Sequence, residues 1–366
     1  MRITGVDVYK SNIPLTEPFR IATMEVTSAE SVFIRVNTDE GLYGLGEANP
    51  SRVVTGETQA MNLAAAPDLA RMLVGRDPLD VETRLGELDG FLARNSALKS
   101  AFDMALYDVL GKASGLPLYA FFGGGNRSFW TDITISLADP GGMALKAVEL
   151  KRRGFRAMKV KLGTSRDEDR ARIAEIRRAI GDDVPIRIDA NQGWSRQTAV
   201  AVLGSLEPMG IEYCEQPVPH WDHEGMRLVR RLTSIPIMAD ESLLDHHDAF
   251  TLAWRACCDY FNIKLSKSGG LHTALKINAI AEGAGIPCMM GCRIETRLGL
   301  SAAAHLVSAR PNIQFADLDG HFMLAEDPIV GGATYDVGEI RLPETPGHGA
   351  DIDPSFLERC ERVTVT

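Results

Sequence analysis

The sequence predicts an α/β protein: a modified TIM-type (β/α)7β barrel beneath an α+β capping domain. From about residue 129, short apolar β-type runs alternate with amphipathic helical stretches. Eight such runs occur, and each but the last is followed by a helical stretch, which is the barrel pattern. Where that rhythm starts and stops divides the chain. The cap is expected over 1–125 and the barrel over 126–324, with a C-terminal segment, 325–366, that returns to the cap.

Taken in order, residues 4–11 and 31–38 alternate like strands, Asp39-Glu40-Gly41 makes a turn, and a Gly-rich strand returns over 42–47. Residues 57–122 change to helical periodicity, clearest over 100–111, with Gly111 and then Gly115-Leu-Pro117 as stop signals. Phe121-Phe-Gly-Gly-Gly125 is the expected domain boundary. The barrel strands are expected at 133–137, 157–162, 185–190, 211–215, 235–240, 260–265, 287–291 and 313–318. Between them lie amphipathic stretches such as 166–180, 196–209 and 271–283. A doubly wound open sheet shares this alternation, but the strand–GxGxxG–helix unit of a dinucleotide fold is missing. Gly44-Leu-Gly46 is followed by Asn49 and lies on the hairpin. The Gly- and Pro-rich tail holds short strands at 333–335 and 340–342.

Composition narrows the function. The 366 residues are 45% hydrophobic and 24% charged, the balance of a globular chain with a full core. A formal net charge of −10 and the lack of any basic run argue against nucleic acid as a partner. The N-terminus alternates like a strand and does not read as a signal peptide. No stretch approaches the roughly 18 apolar residues of a membrane span. Six cysteines form no CxxC pair, and Cys257 and Cys258 are adjacent, so a cytoplasmic protein with reduced thiols is expected.

Polar residues end the barrel strands. Lys161, Asp189, Glu215, Asp240 and Lys264 recur at intervals of 24 to 28 residues, and Asp317 ends the eighth strand. Chemistry in such barrels sits at the strand C-termini, so these groups converge on one mouth. Asp189, Glu215 and Asp240 would repel one another unless a cation neutralised them. Oxygen-only donors suit Mg²⁺, or Mn²⁺. Taken singly, each acid could instead cap the next helix. Lys159 and Lys161, two apart, point to one side of their strand. At roughly 6 Å their repulsion is about 3 kcal/mol for an effective dielectric of ~20, enough to lower a lysine pKa by roughly 2. Lys161 is thereby expected to act as a base, with Lys159 holding the charge. Lys264, across the mouth, is placed to be the opposite base or an electrostatic partner of the acids. Cys288 and Cys292 read as core or rim thiols. His220, His223, His246 and His247 are expected in surface loops, the last two on different faces.

These residues resemble the muconate-lactonising subgroup of the enolase superfamily. The motifs are Lys159-Val-Lys161, Asp189-Ala-Asn191, Glu215-Gln-Pro217, Asp240-Glu-Ser242, Asn262-Ile-Lys264 and Lys267-Ser-Gly-Gly270, with the junction segment from Ser100 to Asp108. Within it, Gly291-Cys-Arg-Ile-Glu-Thr296 and Asp317-Leu-Asp319 look like the dipeptide epimerases. The resemblance implies an isomerase that inverts the α-carbon of a dipeptide's C-terminal residue by two-lysine 1,1-proton transfer through an enediolate. It further implies one Mg²⁺ per subunit, Asp317 and Asp319 on the dipeptide ammonium, and Thr134, Cys292 and Ile294 along the substrate. Related reactions on the same frame are N-acyl amino acid racemisation, cycloisomerisation and succinylbenzoate formation; a non-catalytic metal-binding module is the remaining alternative. The expected partner is the dipeptide, within a homo-oligomer, with no nucleic acid or membrane. In one respect the chain departs from the pattern. Members acting on Ala-Glu carry an arginine in the first domain's mobile loop, and the matching segment, 18–26, has Met24 there with Glu25 beside it. An apolar or basic second residue is therefore expected, unless Arg293 points inward.

Overall fold

The computed structural model describes all 366 residues. β1 (Ile3–Ile21), β2 (Met24–Thr38) and β3 (Tyr43–Ala48) form an antiparallel meander. The C-terminal strand Arg362–Val365 pairs with the free edge of β1, so the chain end completes the capping sheet. Three helices follow: α1 (Gln59–Leu73), α2 (Val81–Phe91) and α3 (Ser96–Ser114). Gly44 and Gly46 let β3 lie directly on α3. A Cβ at either position would fall 1.9 Å from a carbonyl oxygen of α3, Ala105 or Ala101. Close packing, and not phosphate binding, explains that glycine pair.

Two strands are much longer than their sequence suggests. β1 runs on to Ile21 and β2 begins at Met24, so residues 18–26 form a hairpin arm and not an irregular loop. Phe19 pairs with Val26 and Ile21 with Met24, after a register shift between Pro14 and Phe19. Pro14 and Pro18 cannot donate to a ladder, so the shift falls in that interval. The same prolines break the alternation that would have announced a strand.

The barrel follows as eight parallel strands paired in sequential order. Strands one to four are Ile133–Ile135, Met158–Lys161, Ile186–Asp189 and Ile211–Glu215. Strands five to eight are Ile237–Ala239, Tyr260–Ile263, Cys288–Gly291 and Ile313–Asp317. Beside strand one, the Asp132 N–H donates to the Ala316 carbonyl of strand eight at 3.2 Å, which brings the two ends together. The interior floor is filled by Tyr213, Met238 and Met289. Arg187 there is neutralised by Asp132 at 2.9 Å and Glu212 at 2.7 Å. No helix is long and apolar enough to cross a membrane.

Two buried carboxylates of the cap lock it to the barrel. Asp103 on α3 accepts the Leu271 N–H at 2.5 Å and the His272 N–H at 3.0 Å, at the start of the helix Leu271–Gly283. Gly270, before that helix, has φ +114, and a Cβ there would meet Asp103 at 2.2 Å. Glu47 on β3 accepts Thr296 N–H at 3.1 Å and Gly299 N–H at 3.2 Å, at the head of the helix Arg297–Ala309. Each supplies an acceptor to N–H groups that the helix itself leaves unpaired.

Burial pushes the Asp103 carboxyl up to about 8, despite its two backbone donors. A carboxyl that holds its proton more tightly when folded contributes stability at low pH. That contribution is lost as pH rises from about 4 to about 8. Asp103→Asn cannot titrate, so its stability deficit against the wild type, read by urea unfolding, is expected to shrink between about pH 5 and about pH 9. A deficit constant over that range would mean Asp103 is ionised throughout.

Candidate active site

Strand alternation aims Lys159 and Lys161 into the barrel mouth together. Asp189 and Glu215 end strands three and four, Asp240 follows strand five, and Lys264 follows strand six. Asp317 ends strand eight, with Asp319 two residues on. The three acids are fully or almost fully buried. Each can offer one oxygen such that all three lie within 4.8 Å of one another.

Ammonium groups surround this trio. Lys161 Nζ lies 2.6 Å from Asp189, and Lys159 Nζ lies 2.8 Å from Glu215, 2.8 Å from Asp317 and 3.3 Å from Asp189. Lys264 Nζ lies 2.8 Å from Asp240 and 3.8 Å from Glu215. The mutual repulsion anticipated for Lys159 and Lys161 is therefore not the dominant field, because each ammonium rests against a carboxylate. Burial disfavours the Lys159 charge, but Asp317, Glu215 and Asp189 outweigh it and hold its pKa well above the ordinary value. Burial likewise works against the Lys264 charge, and Asp240 and Glu215 overcome it, leaving the pKa raised.

Positive charge is still short at Glu215, whose carboxyl burial and Asp189 push up to about 8. A buried, oxygen-only trio with one member driven toward its neutral form fits a hard divalent cation. The residues that could hold it are Asp189, Glu215 and Asp240.

Above the trio a cavity of about 410 Å³ opens beneath the hairpin arm. Its lining includes Met24, Thr134, Lys159, Lys161, Asp240 and Lys264, and also Cys292, Ile294, Asp317 and Asp319. Asp189 and Glu215 lie beneath its floor, fully buried. Asp319 accepts the Thr134 N–H at 2.7 Å. Burial and the neighbouring Asp317 push the Asp319 carboxyl up to about 6. Burial opposes ionisation of Asp317 too, but Lys159, Lys264 and Lys161 hold its carboxyl down at about 2. Negative charge is thus retained beside the cavity, away from the trio.

Sequence reasoning missed Lys267 as a site residue. Its buried Nζ donates to Asp240 Oδ1 at 2.6 Å and to the Asn262 carbonyl at 2.9 Å. The signal was its position three residues after Lys264, on the single turn Leu265–Ser268. Asn262 was also missed; it donates to Glu215 at 2.7 Å from two residues before Lys264, on the same side of the chain. Arg293 does reach the cavity. The histidines hold no site, and their expected placement changes: His223 and His246-His247 head helices, and the last two rings lie 4.2 Å apart, tilted by 35°, and not on different faces.

A capped α/β barrel with lysines and acids gathered at its strand ends defines a barrel enzyme whose chemistry lies at that mouth. The chain belongs to the mandelate racemase/muconate lactonizing enzyme family. The model of that family's N-terminal domain matches residues 3–123, and the "enolase C-terminal domain-like" model matches 142–356. The chain is 41% identical to the D-Ala-D/L-Ala epimerase of Cytophaga hutchinsonii over 100% of both chains. It is 42% identical to the hydrophobic dipeptide epimerase of Enterococcus faecalis, over 95% of this chain and 99% of that one. The Cytophaga dipeptide epimerase solved with Mg and D-Ala-L-Val superposes with a TM-score of 0.99 over the whole of both chains, at 41% identity. The Enterococcus enzyme with Mg and L-Leu-L-Tyr superposes at 0.94, covering 96% of this chain and 100% of that one, at 42% identity.

If the trio holds a divalent ion, Mg²⁺ at about 100 times its Kd stabilises the fold by about 2.7 kcal/mol. The thermal midpoint of the wild type is expected to rise with Mg²⁺, and that of Glu215→Gln to rise far less. Equal Mg²⁺-dependent shifts in both proteins would place the ion elsewhere.

Proposed function

We propose that this protein is a Mg²⁺-dependent dipeptide epimerase that inverts the α-carbon of the C-terminal residue. The observation that carries the reading is the placement of Lys161 and Lys264 on opposite sides of the acid trio, each against a different acid. A second support is the kinship with dipeptide epimerases over the full chain.

In this reading Lys161 Nζ removes the α-proton from one face of the substrate and Lys264 Nζ delivers a proton to the other. For the opposite antipode the two exchange roles. Mg²⁺ held by Asp189, Glu215 and Asp240 supplies, when bound, Lewis-acid polarisation of the substrate carboxylate. Lys159 stays charged and stabilises the negative charge that grows on that carboxylate as the enediolate forms. Asp317 and Asp319 accept the free ammonium of the N-terminal residue, with Thr134, Cys292 and Ile294 along the substrate between. Phe19, Ile21 and Met24 of the hairpin arm exclude water from above. In this reading the Asp189–Glu215–Asp240 trio, the one oxygen-only group of the two acid clusters at the mouth, takes one ion per subunit, Mg²⁺ or Mn²⁺, and we assign the enzyme to the cytoplasm as a homo-oligomer.

In D₂O with Mg²⁺, the wild type is expected to place one deuteron at the C-terminal Cα of its dipeptide substrates. Lys161→Ala and Lys264→Ala should each lose epimerisation by about 10²-fold or more, while one antipode still exchanges its α-proton. Full turnover by both variants would refute the two-base scheme. Asp317→Asn is expected to raise KM for free-amine dipeptides by about 10- to 100-fold, the worth of about 1.5–3 kcal/mol for a charged hydrogen bond. If that variant instead kept its KM and N-succinyl amino acids were the better substrates, N-acyl amino acid racemisation would be the activity.

A further inference from the structure

Five cationic side chains line the cavity: Arg52, Lys159, Lys161, Lys264 and Arg293. Arg52 pairs with Glu30 at 3.7 Å, and the three lysines pair with the acids already described. Arg293 alone has no carboxylate within 4 Å of its guanidinium. Its Nε is buried and donates to nothing. A guanidinium does not shed its proton in a protein, so this is a permanent, half-buried charge without a carboxylate partner.

The acids around it are mostly committed elsewhere. Asp240 holds Lys264 and Lys267. Glu57 accepts from Asn62 at 2.8 Å and from the Ala97 and Leu98 N–H groups at 3.0 and 3.3 Å. Glu295 accepts the backbone N–H of Arg293 itself. Glu241 accepts from Asn191 at 3.2 Å through Oε1, while its Oε2 has no partner, which makes it the one rival within the protein. The backbone beside Arg293 is fixed by the cap: Asn49 donates to the Ile294 carbonyl at 3.1 Å, and Glu47 receives Thr296 at 3.1 Å. The backbone that carries the guanidinium is therefore held in place before any ligand arrives.

We propose that Arg293 is a specificity-determining residue that pairs with a carboxylate on the side chain of the substrate's C-terminal residue. This rests on the dipeptide epimerase reading and sharpens it to acidic dipeptides. It reverses the expectation of an apolar or basic second residue drawn from Met24, since the recognising cation comes from the end of strand seven and not from the hairpin arm. A carboxylate entering the cavity would meet a planar fork of donors suited to bidentate pairing.

The test compares kcat/KM for L-Ala-L-Glu, its uncharged isostere L-Ala-L-Gln, and L-Ala-L-Met, in the wild type and in Arg293→Met. The wild type is expected to favour Glu over Gln by about 10-fold or more, mostly through KM, as a charge-assisted hydrogen bond would give. Arg293→Met should lower the Glu-to-Met ratio by a similar factor. A wild type that treats Glu no better than Gln would overturn the proposal without any reference to the variant. So would an Arg293→Met enzyme that loses all three substrates in equal measure, the signature of a cation that serves only to balance Glu241. A wild type that exchanges the α-proton of no dipeptide would instead overturn the epimerase reading, and this inference with it.

Discussion

Three carboxylates buried at one point are the constraint around which this molecule is arranged. Asp189, Glu215 and Asp240 have almost no access to water, and like charges so placed cannot all remain ionised without cations beside them. The chain meets the demand with four ammonium groups, Lys159, Lys161, Lys264 and Lys267, each within 2.8 Å of at least one of the acids. Even so Glu215 is driven toward its neutral form, which leaves room for a further positive charge. The lysines proposed as bases and the metal-ready trio thus share one electrostatic balance. The lysines that would move protons are the same groups that make the acids tolerable to bury.

That arrangement was largely legible in the sequence because barrel geometry is periodic. A strand end recurs every two dozen residues or so, and a charged residue at each end in an otherwise apolar run is improbable unless the ends converge. The two-residue alternation of a strand made Lys159 and Lys161 readable as a pair. The structure brings every predicted site residue to the cavity or to its floor. Periodicity reports direction, however, and not neighbours. It could not show that Lys159 and Lys161 each face a carboxylate, so their mutual repulsion was overweighted.

What stayed hidden was non-local. The hairpin arm reads as a loop because Pro14 and Pro18 interrupt its pattern, yet pairing to β2 over many residues outweighs that local signal. Asp103 and Glu47 sit in stretches where nothing marks them as caps, since the helices they cap begin far away in the sequence. The N-terminal N–H groups of those helices need acceptors whatever their source, and the cap domain provides them. Lys267 stands within a readable motif, but its contact with Asp240 depends on a single helical turn that brings it back beneath the strand.

These long-range contacts also explain how the cap influences chemistry it does not perform. Glu47, near the end of β3, and Asn49, just past it, grip Thr296 and Ile294 of the barrel. Between strand seven and those anchors run Cys292 and Arg293, both on the cavity wall. The hairpin arm of the same sheet contributes Met24 to the same cavity. The cavity thus has two parts: a floor of acids and lysines on the barrel strand ends, and a wall whose backbone the cap holds. In the proposed reading, the choice of dipeptide belongs to that wall and the proton transfer to the acid–lysine floor.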